Sequence, residues 1–341
     1  MRWGDGLPLI PPTPERVDAM LAGIDRPPEL VVTHMPPLYS ACTIEKIAIN
    51  AVMAGCLPSY MPVLIAVIEA TSMPQFNAFS VQTTTHPCGV MVLVNGPIRA
   101  SIGLNSGAGA FGPGTRSNAS IGRAVRLVLQ NVGGAYPGLT DMSTQGSPAK
   151  FTFCFAEAEE SSPWPPYHVS LGYQALDSVV TIHAAENPNE INDHVSLDPT
   201  GLLVTFCETI ASLGKNNAYS DFCQYFVAVC PEHANLLSKF GFSRKELQRA
   251  IYERARIPYR VWRSGGTFRA AEAKTIVPLP PWRVWADDEA HVPMSADAEG
   301  IHVVVVGGAG RHSAWMPSLG PSRPVSKLVT NSDGSPWMPA H

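Results

Sequence analysis

The stretch FVAVCPEHANLLSKFGFSRKELQRAIYERARIP, residues 226–258, joins an apolar run to a polar cluster and then to two helical patterns. Phe226 to Val229 suit a buried strand, and Cys-Pro-Glu-His follows at once. Ser243, with Glu246 three residues later, predicts the capping box of the second helix. Open α/β sheets bind ligands outside the carboxyl ends of their strands. The stretch therefore predicts an α/β fold with ligand groups at a strand end.

Three other segments show the same order of apolar strand and then polar residues: GVMVLVNGP (89–97), KFTFCFAEAEE (150–160) and IHVVVVGGAGRH (301–312). The first ends in Asn95, the second leads to Glu157, and the third enters a glycine-rich loop that carries Arg311 and His312. Because a sheet gathers the carboxyl-end loops of its parallel strands at one edge, a shared sheet would bring these groups together.

The composition favours a protein that binds small, weakly charged ligands. Only 15% of the 341 residues are charged, 45% are apolar and the net charge is -4, which argues against a nucleic-acid surface. No signal peptide is recognisable, and no apolar run approaches the ~18 residues that span a bilayer. The seven cysteines are irregularly spaced without CxxC, so we expect buried, reduced thiols in a cytoplasmic protein that does not bind membranes.

The alternation of strand and helix patterns predicts an α/β class with a mixed or largely parallel sheet and flanking helices. The chain would form one compact unit or two closely packed α/β lobes. The two lobes would span residues 1–190, with a helical hairpin and a glycine-rich loop, and residues 191–341. The hairpin is predicted from TIEKIAINAVMAGC, which Thr43 caps, and from the apolar YMPVLIAVIEATS that follows.

A glycine-rich segment precedes a long helix that we expect to begin near Asn118 or Ser120. Arg116, Arg123 and Arg126 would fall around its first turns, where cations oppose the helix dipole. A bound anion would relieve this conflict, so Arg116 is a candidate substrate-binding residue. The alternative is a tight connection without a ligand, and neither GxGxxG in its βαβ context nor GxxxxGK(S/T) is present.

Two histidines are candidate general acids or bases, His233 at the end of the first strand and His312 after the glycine-rich loop. Glu232, next to His233, is a further catalytic candidate. The alternative is that Glu232 and His233 only cap and dock the helix. Groups expected to contact substrate around His312 are Gly307, Gly308, Gly310 and Arg311. Arg311 could equally pair with a neighbouring carboxylate. We expect Asn95, His233 and His312 to line one pocket.

The segment KFTFCFAEAEE (150–160) supplies further candidates. Among Glu157, Glu159 and Glu160, Glu157 is the preferred catalytic carboxylate, and solvated or capping glutamates are the alternative. His168 is a candidate substrate-binding residue and could also share a metal with one of these glutamates. Cys154 is a candidate nucleophile if His168 acts as its base, although an isolated cysteine is by default a small buried apolar group.

His86 and Cys88 carry two metal-type ligands in the segment TTTHPCGVM. Two ligands make only half of a zinc site, so we predict no metal there. The residues identify no cofactor.

Several quoted motifs together are distinctive: GDGLPLIPPTPERVDAML, NASIGRAVRLVLQNVGG, FCFAEAEESSPW, PEHA and VVVGGAGRHSAW. With them the chain resembles, over most of its length, the C-terminal part of the bacterial UGSC-motif proteins, which are named for a cysteine or selenocysteine. No UGSC or CGSC tetrapeptide occurs in this chain. The resemblance implies oxidoreductase-like chemistry, and the missing motif implies that a small partner protein with a Cys-Gly-Ser-Cys stretch would supply it.

Together these features predict an enzyme that acts on a small organic substrate by histidine and glutamate acid–base chemistry, with a thiol as a further participant. One alternative is a hydrolase or lyase without redox chemistry. Another is a non-catalytic accessory subunit that positions substrate for the partner. A homo-oligomer is compatible with either.

Overall fold

The computed structural model describes residues 3–218, 223–265 and 289–338. The chain divides into two units. Unit 1 contains Met1–Glu159, Pro165–Asn187 and Pro324–His341. Unit 2 contains Glu160–Trp164 and Pro188–Arg323.

Unit 1 combines helices with a mixed sheet. Its helices are α1 (Pro14–Leu21), α2 (Ile44–Ala54), α3 (Met61–Thr71), α4 (Ala78–Thr83), α5 (Ile98–Ser101), α6 (Arg116–Asn131) and α7 (Tyr167–Ser170). Its strands are β1 (Val31–Met35), β2 (Ser40–Thr43), β3 (Gly89–Asn95), β4 (Cys154–Ala156), β5 (Val179–Ala185) and β12 (Val325–Leu328). The main sheet has the order β12-β5-β3-β4, and β3 runs parallel to β4 and antiparallel to β5. Helix α3 packs on β5 and β12, and α6 packs on β3 and β4, which buries the apolar strands.

Unit 2 has the same mixture of elements. Its helices are α8 (Pro199–Ile210), α9 (Pro231–Lys239), α10 (Arg244–Arg254) and α11 (Tyr259–Ser264). Its strands are β6 (Asn189–Asn192), β7 (Tyr225–Val229), β8 (Arg256–Pro258), β9 (His291–Pro293), β10 (Ile301–Val305) and β11 (His312–Met316). The larger sheet has the order β10-β7-β11-β6, and β8 pairs with β9.

The α/β class predicted from the sequence is confirmed, and both four-stranded sheets are mixed. The expectation that one sheet gathers all four predicted strand ends is wrong. Strands β3 and β4 belong to the unit 1 sheet, whereas β7 and β10 belong to the unit 2 sheet. Within the described residues, the helices are too short or too polar for any of them to cross a bilayer.

The observed boundary lies after Asn187, three residues before the predicted end of the range 1–190, and the division differs from the predicted ranges in two further places. The C-terminal residues belong to unit 1, because β12 pairs antiparallel with β5. Residues 160–164 belong to unit 2, where the indole N–H of Trp164 donates to the Phe242 carbonyl at 2.8 Å. Both differences arise from contacts between residues that are far apart in the chain. Such contacts leave no local sequence signal.

The predicted local signals mostly match the structure. Thr43 caps α2 by accepting from the Lys46 amide, and Ser243 and Glu246 form the reciprocal capping box of α10. Helix α6 begins at Arg116, slightly earlier than expected, and its first residue follows Thr115, whose side chain makes no capping bond.

Candidate active site

The carboxyl ends of three strands meet at one edge of the unit 2 sheet. Strand β11 is antiparallel to both β6 and β7, and β10 is parallel to β7, so β6, β7 and β10 run in the same direction. The register pairs His312 with Asn192 and Ala314 with Ala228. The residues that follow β6, β7 and β10 therefore lie beside the start of β11. This is the position at which open α/β sheets bind ligands.

An exposed chain of three side chains, here called the imidazole relay, lies at this edge: Glu190, His312 and His194. The carboxylate of Glu190 accepts from Nδ1 of His312 at 2.5 Å, and Nε2 of His312 lies 3.0 Å from Nε2 of His194. The side chains of His312 and Glu190 are 50% and 61% exposed. Because Glu190 accepts a hydrogen bond from Nδ1–H, a neutral His312 ring has an accepting Nε2, to which Nε2–H of His194 then donates. An oriented imidazole within reach of solvent can exchange protons with a substrate.

His233 is enclosed and both of its ring nitrogens are occupied. Nδ1 accepts from the Ser313 hydroxyl at 2.8 Å, and Nε2 donates to the carbonyl of Asp193 at 2.9 Å. The same hydroxyl accepts from the Cys230 amide at 3.0 Å. Burial lowers the pKa of His233, which favours the neutral ring. The geometry supports the capping and docking role for His233 more than proton transfer to a substrate.

The loop that carries His194 is fixed by Asp193 and Arg311. Burial opposes ionisation of Asp193, but hydrogen bonds from Ser196, Thr205 and the Val195 amide lower its pKa to about 2. Nη1 of Arg311 donates to the Ser196 carbonyl at 2.7 Å. The predicted substrate-binding Arg311 therefore contacts this loop, which holds one imidazole of the relay in place.

The glycine-rich loop is anchored by Glu232. Its carboxylate accepts from the Gly310 amide at 2.8 and 2.9 Å, so that amide is occupied by a protein group. Gly307 and Gly310 have φ values of 113° and 127°, in the region that favours glycine. Gly308 lies between them in the same turn. Glycine is therefore required by the backbone conformation of this turn, and the turn positions Arg311 and His312.

The end of β3 and the end of β4 form a second polar group, here called the carboxylate cluster: Asn95, Arg99, Glu157 and Glu159. The amide of Asn95 donates to Glu157 at 2.6 Å and to Glu159 at 3.0 Å. Arg99 donates to Glu159 at 3.1 Å, and the Tyr167 amide donates to Glu157 at 2.6 Å. Asn95 and Glu157 are fully buried. The carboxylates of this cluster are hydrogen-bonded to donors of the protein itself. This arrangement is typical of a structural network in the protein interior.

His168 lies beside this cluster in α7. Its Nε2 contacts the carbonyl of Gln174 at 3.1 Å, and its Nδ1 lies 4.0 Å from Glu159. Burial lowers the pKa of His168, while Glu159 acts in the opposite direction. Among the described residues Nδ1 has no hydrogen-bond partner.

The cysteines lie in the interior. All seven are free and buried. Burial raises the pKa of Cys154 and raises that of Cys88 to about 12, which disfavours the reactive thiolate. The Cys88 amide donates to Nδ1 of His86, and Nε2 of His86 contacts Glu186 at 3.1 Å. Throughout the described part of the chain, no group of three or more histidine, cysteine or carboxylate side chains could hold a metal ion.

The predicted grouping of arginines at the start of α6 is wrong. Arg116 is the first residue of the helix and donates to the Gly55 carbonyl at 2.9 Å. Arg123 and Arg126 lie two and three turns further along, where they pair with Asp5 and Asp141. The positive charges of Arg123 and Arg126 are therefore compensated by carboxylates of the protein and do not call for a bound anion at the start of the helix.

The twelve predicted site residues thus divide between the units. The unit 2 sheet edge brings together Glu232, His233, Gly307, Gly308, Gly310, Arg311 and His312. Asn95, Cys154, Glu157, His168 and Arg116 belong to unit 1. The sequence argument missed Glu190 and His194, because β6 is only four residues long and carries no clear strand pattern. It also missed Ser313, which follows His312 on β11.

Comparison with protein-family models, with curated proteins and with solved structures finds no match.

Proposed function

We propose that the protein is an enzyme that acts on a small organic substrate by general acid–base catalysis, with the imidazole relay as its proton-transfer group. The observation that carries this proposal is the hydrogen-bonded order Glu190, His312, His194 at an exposed strand-end edge. Histidine is the side chain that exchanges protons near neutral pH, and a carboxylate that fixes its tautomer directs the exchange. His194 would take the substrate proton on Nδ1 while its Nε2 proton passes to Nε2 of His312, and Glu190 would orient the His312 ring.

The buried thiols favour proton transfer without redox chemistry, as in a hydrolase or lyase. The enclosed Cys154 has a pKa raised by burial, so it is a poor nucleophile. Oxidoreductase chemistry, which the family resemblance implies, would then depend on a partner with a Cys-Gly-Ser-Cys stretch. In that alternative the chain positions the substrate as an accessory subunit. The free thiols agree with the proposed cytoplasmic location.

Two assays in parallel test the proposal. Small carbonyl acids in D2O are followed by NMR for exchange of the proton next to the carbonyl, and small esters and lactones are followed for hydrolysis. His312→Gln should lower a rate seen with the wild type by roughly 10²–10⁴, the range for loss of a general acid or base. Glu190→Gln should lower it less, because the imidazole remains.

His291→Gln is the matched control, since His291 is an exposed histidine in the same unit. Its rate should equal that of the wild type. An unchanged rate in His312→Gln would refute the relay as the catalytic group. Absence of turnover by the wild type over the whole panel would favour the accessory-subunit alternative.

A further inference from the structure

The two exposed imidazoles of the relay have the spacing of two ligands to one metal ion. Nε2 of His194 and Nε2 of His312 are 3.0 Å apart. Two imidazole nitrogens at about 2.0–2.1 Å from one Zn²⁺ ion are separated by about 2.9 Å at a right angle and by about 3.4 Å at the tetrahedral angle. The observed distance lies within this interval, so both nitrogens reach one ion with little movement of either ring.

The two rings do not face each other in line. Their centroids are 4.6 Å apart, and their planes are inclined at 73°. A five-membered ring with bonds of about 1.33 Å has a radius of about 1.1 Å, so two rings joined in line at this nitrogen distance would have centroids about 5.2 Å apart. The smaller observed separation shows a bent arrangement, which two ligands of one ion require.

The surroundings of the pair favour a cation. The Glu190 carboxylate accepts from Nδ1 of His312 at 2.5 Å. Metal-binding histidines almost always donate this second N–H to an acceptor such as a carboxylate, which fixes the tautomer and makes the ring a better ligand. A second carboxylate, that of Asp193, precedes His194 in the chain. The one positive group beside them, Arg311, donates to the His194 carbonyl at 3.4 Å, so the charges around the pair are negative in sum.

We infer that His194 and His312 bind one divalent transition-metal ion such as Zn²⁺ through their Nε2 atoms, with water at the remaining positions. Imidazole suits Zn²⁺, Cu²⁺ and Ni²⁺, whereas Mg²⁺ prefers oxygen. His312 already has the Nδ1–H tautomer that this requires, and His194 would adopt the same one. Within the described residues the site has two protein ligands, fewer than structural or catalytic zinc sites, so the ion would exchange with solution.

The ion would lie between the two nitrogens that pass the proton along the imidazole relay. Metal binding and proton transfer along the relay therefore exclude each other, and the ion would be a reversible inhibitor. This consequence rests on the proposed function, whereas the binding itself rests on the geometry of the two histidines.

Zn²⁺ and Mg²⁺ are the probes, titrated calorimetrically into the chain without an affinity tag. The wild type should have a Zn²⁺ site that His194→Gln and His312→Gln each remove, and no comparable Mg²⁺ site. Glu190→Gln should weaken Zn²⁺ binding by about tenfold to a hundredfold, the usual cost of losing a partner behind a metal ligand. With Cu²⁺, electron paramagnetic resonance should detect two imidazole nitrogens in the wild type and one in either single variant.

His291→Gln and His86→Gln are the controls, since the first is an exposed histidine of the same unit and the second contacts Glu186 in unit 1. Both should bind Zn²⁺ as the wild type does. Because His194 and His312 are exposed, their variants should keep the wild-type melting temperature.

Zn²⁺ binding of wild-type affinity in both His194→Gln and His312→Gln, or equal binding of Zn²⁺ and Mg²⁺, would overturn the inference. Turnover that requires His312 but continues with Zn²⁺ bound would overturn the inhibition. The titration needs no substrate, so it decides on metal binding even where the proposed catalysis fails.

Discussion

The hydroxyl of Ser313 donates to Nδ1 of His233 at 2.8 Å while it accepts from the Cys230 amide, and this joins the start of β11 to the start of α9. A serine beside a histidine resembles a nucleophile and its base. Here, however, both side chains are buried, and the other nitrogen of the ring is held by a backbone carbonyl. The pair therefore contributes to stability.

Ser313→Ala should lower the free energy of unfolding by about 1–3 kcal/mol, because it leaves a buried amide and a ring nitrogen without a partner. His233→Gln should also destabilise the protein, and a double-mutant cycle of the two in urea should show coupling. The control Ser264→Ala, on an exposed position of α11, should change stability by less than about 0.5 kcal/mol. Loss of turnover at unchanged stability in Ser313→Ala would instead identify a catalytic pair.

The exposed and buried histidines should differ in their rate of chemical modification, and this test needs no substrate. Diethyl pyrocarbonate should modify the exposed His34, His194, His291 and His312 first, and the buried His233, His168 and His183 only on unfolding. Peptide mass mapping over time measures the order. Modification of His233 as fast as His312 in the folded protein would contradict its enclosed position.

The carboxylate cluster depends on the amide of Asn95. Asn95→Asp would place a third carboxyl beside Glu157 and Glu159 and remove the donor that they share. Neighbouring like charges raise the pKa of the introduced carboxyl above its unfolded value. The stability deficit should therefore be large at pH 8 and shrink as the pH falls toward 5. Thermal melts across this range measure it, with the exposed Asn235→Asp as control. A deficit independent of pH would argue against repulsion.

His302 should make stability sensitive to acid. Burial lowers its pKa to about 4. Its ring stacks on that of Phe226, with 4.9 Å between the ring centroids. An unfolded histidine has a pKa of about 6.5. Between these values the unfolded state binds the extra proton, so stability is lost as the pH falls from about 6.5 to about 4.

His302→Phe should keep the stacking and flatten this part of the stability curve, as measured by urea unfolding at several pH values. His291→Gln is the matched control, and its curve should follow that of the wild type. A curve for His302→Phe as steep as the wild-type curve would show that other groups, such as His233, dominate the acid response.

Gly96, just after β3, cannot accept a side chain. It has a φ of 82°, and an added Cβ would lie 2.0 Å from the carbonyl oxygen of Asp177. Gly96→Ala should therefore severely lower the melting temperature or prevent folding. Gly23→Ala, at a position with no atom within 4 Å of an added Cβ, should leave it nearly unchanged. Similar melting temperatures for both variants would contradict this close approach.

Some features of the site could be predicted from local patterns and others could not. The apolar runs of β7 and β10 gave the right strands, and the polar residues after them do lie at one sheet edge. The same reasoning failed for Asn95, because an apolar run does not say which sheet its strand joins. The relay was missed in part, because Glu190 and His312 are 122 residues apart.

The sequence by itself determined the α/β class, the caps of α2 and α10, and the strands whose ends carry polar groups. These features depend on residues within a few positions of one another, where capping bonds and side-chain periodicity act. The tertiary structure alone decided which strands share a sheet and that β12 returns to unit 1. It also decided that His233 is a buried anchor while His312 is an exposed member of a relay. The reason is that strand pairing, burial and hydrogen-bond partners are set by contacts between residues distant in the chain, and these leave no local pattern.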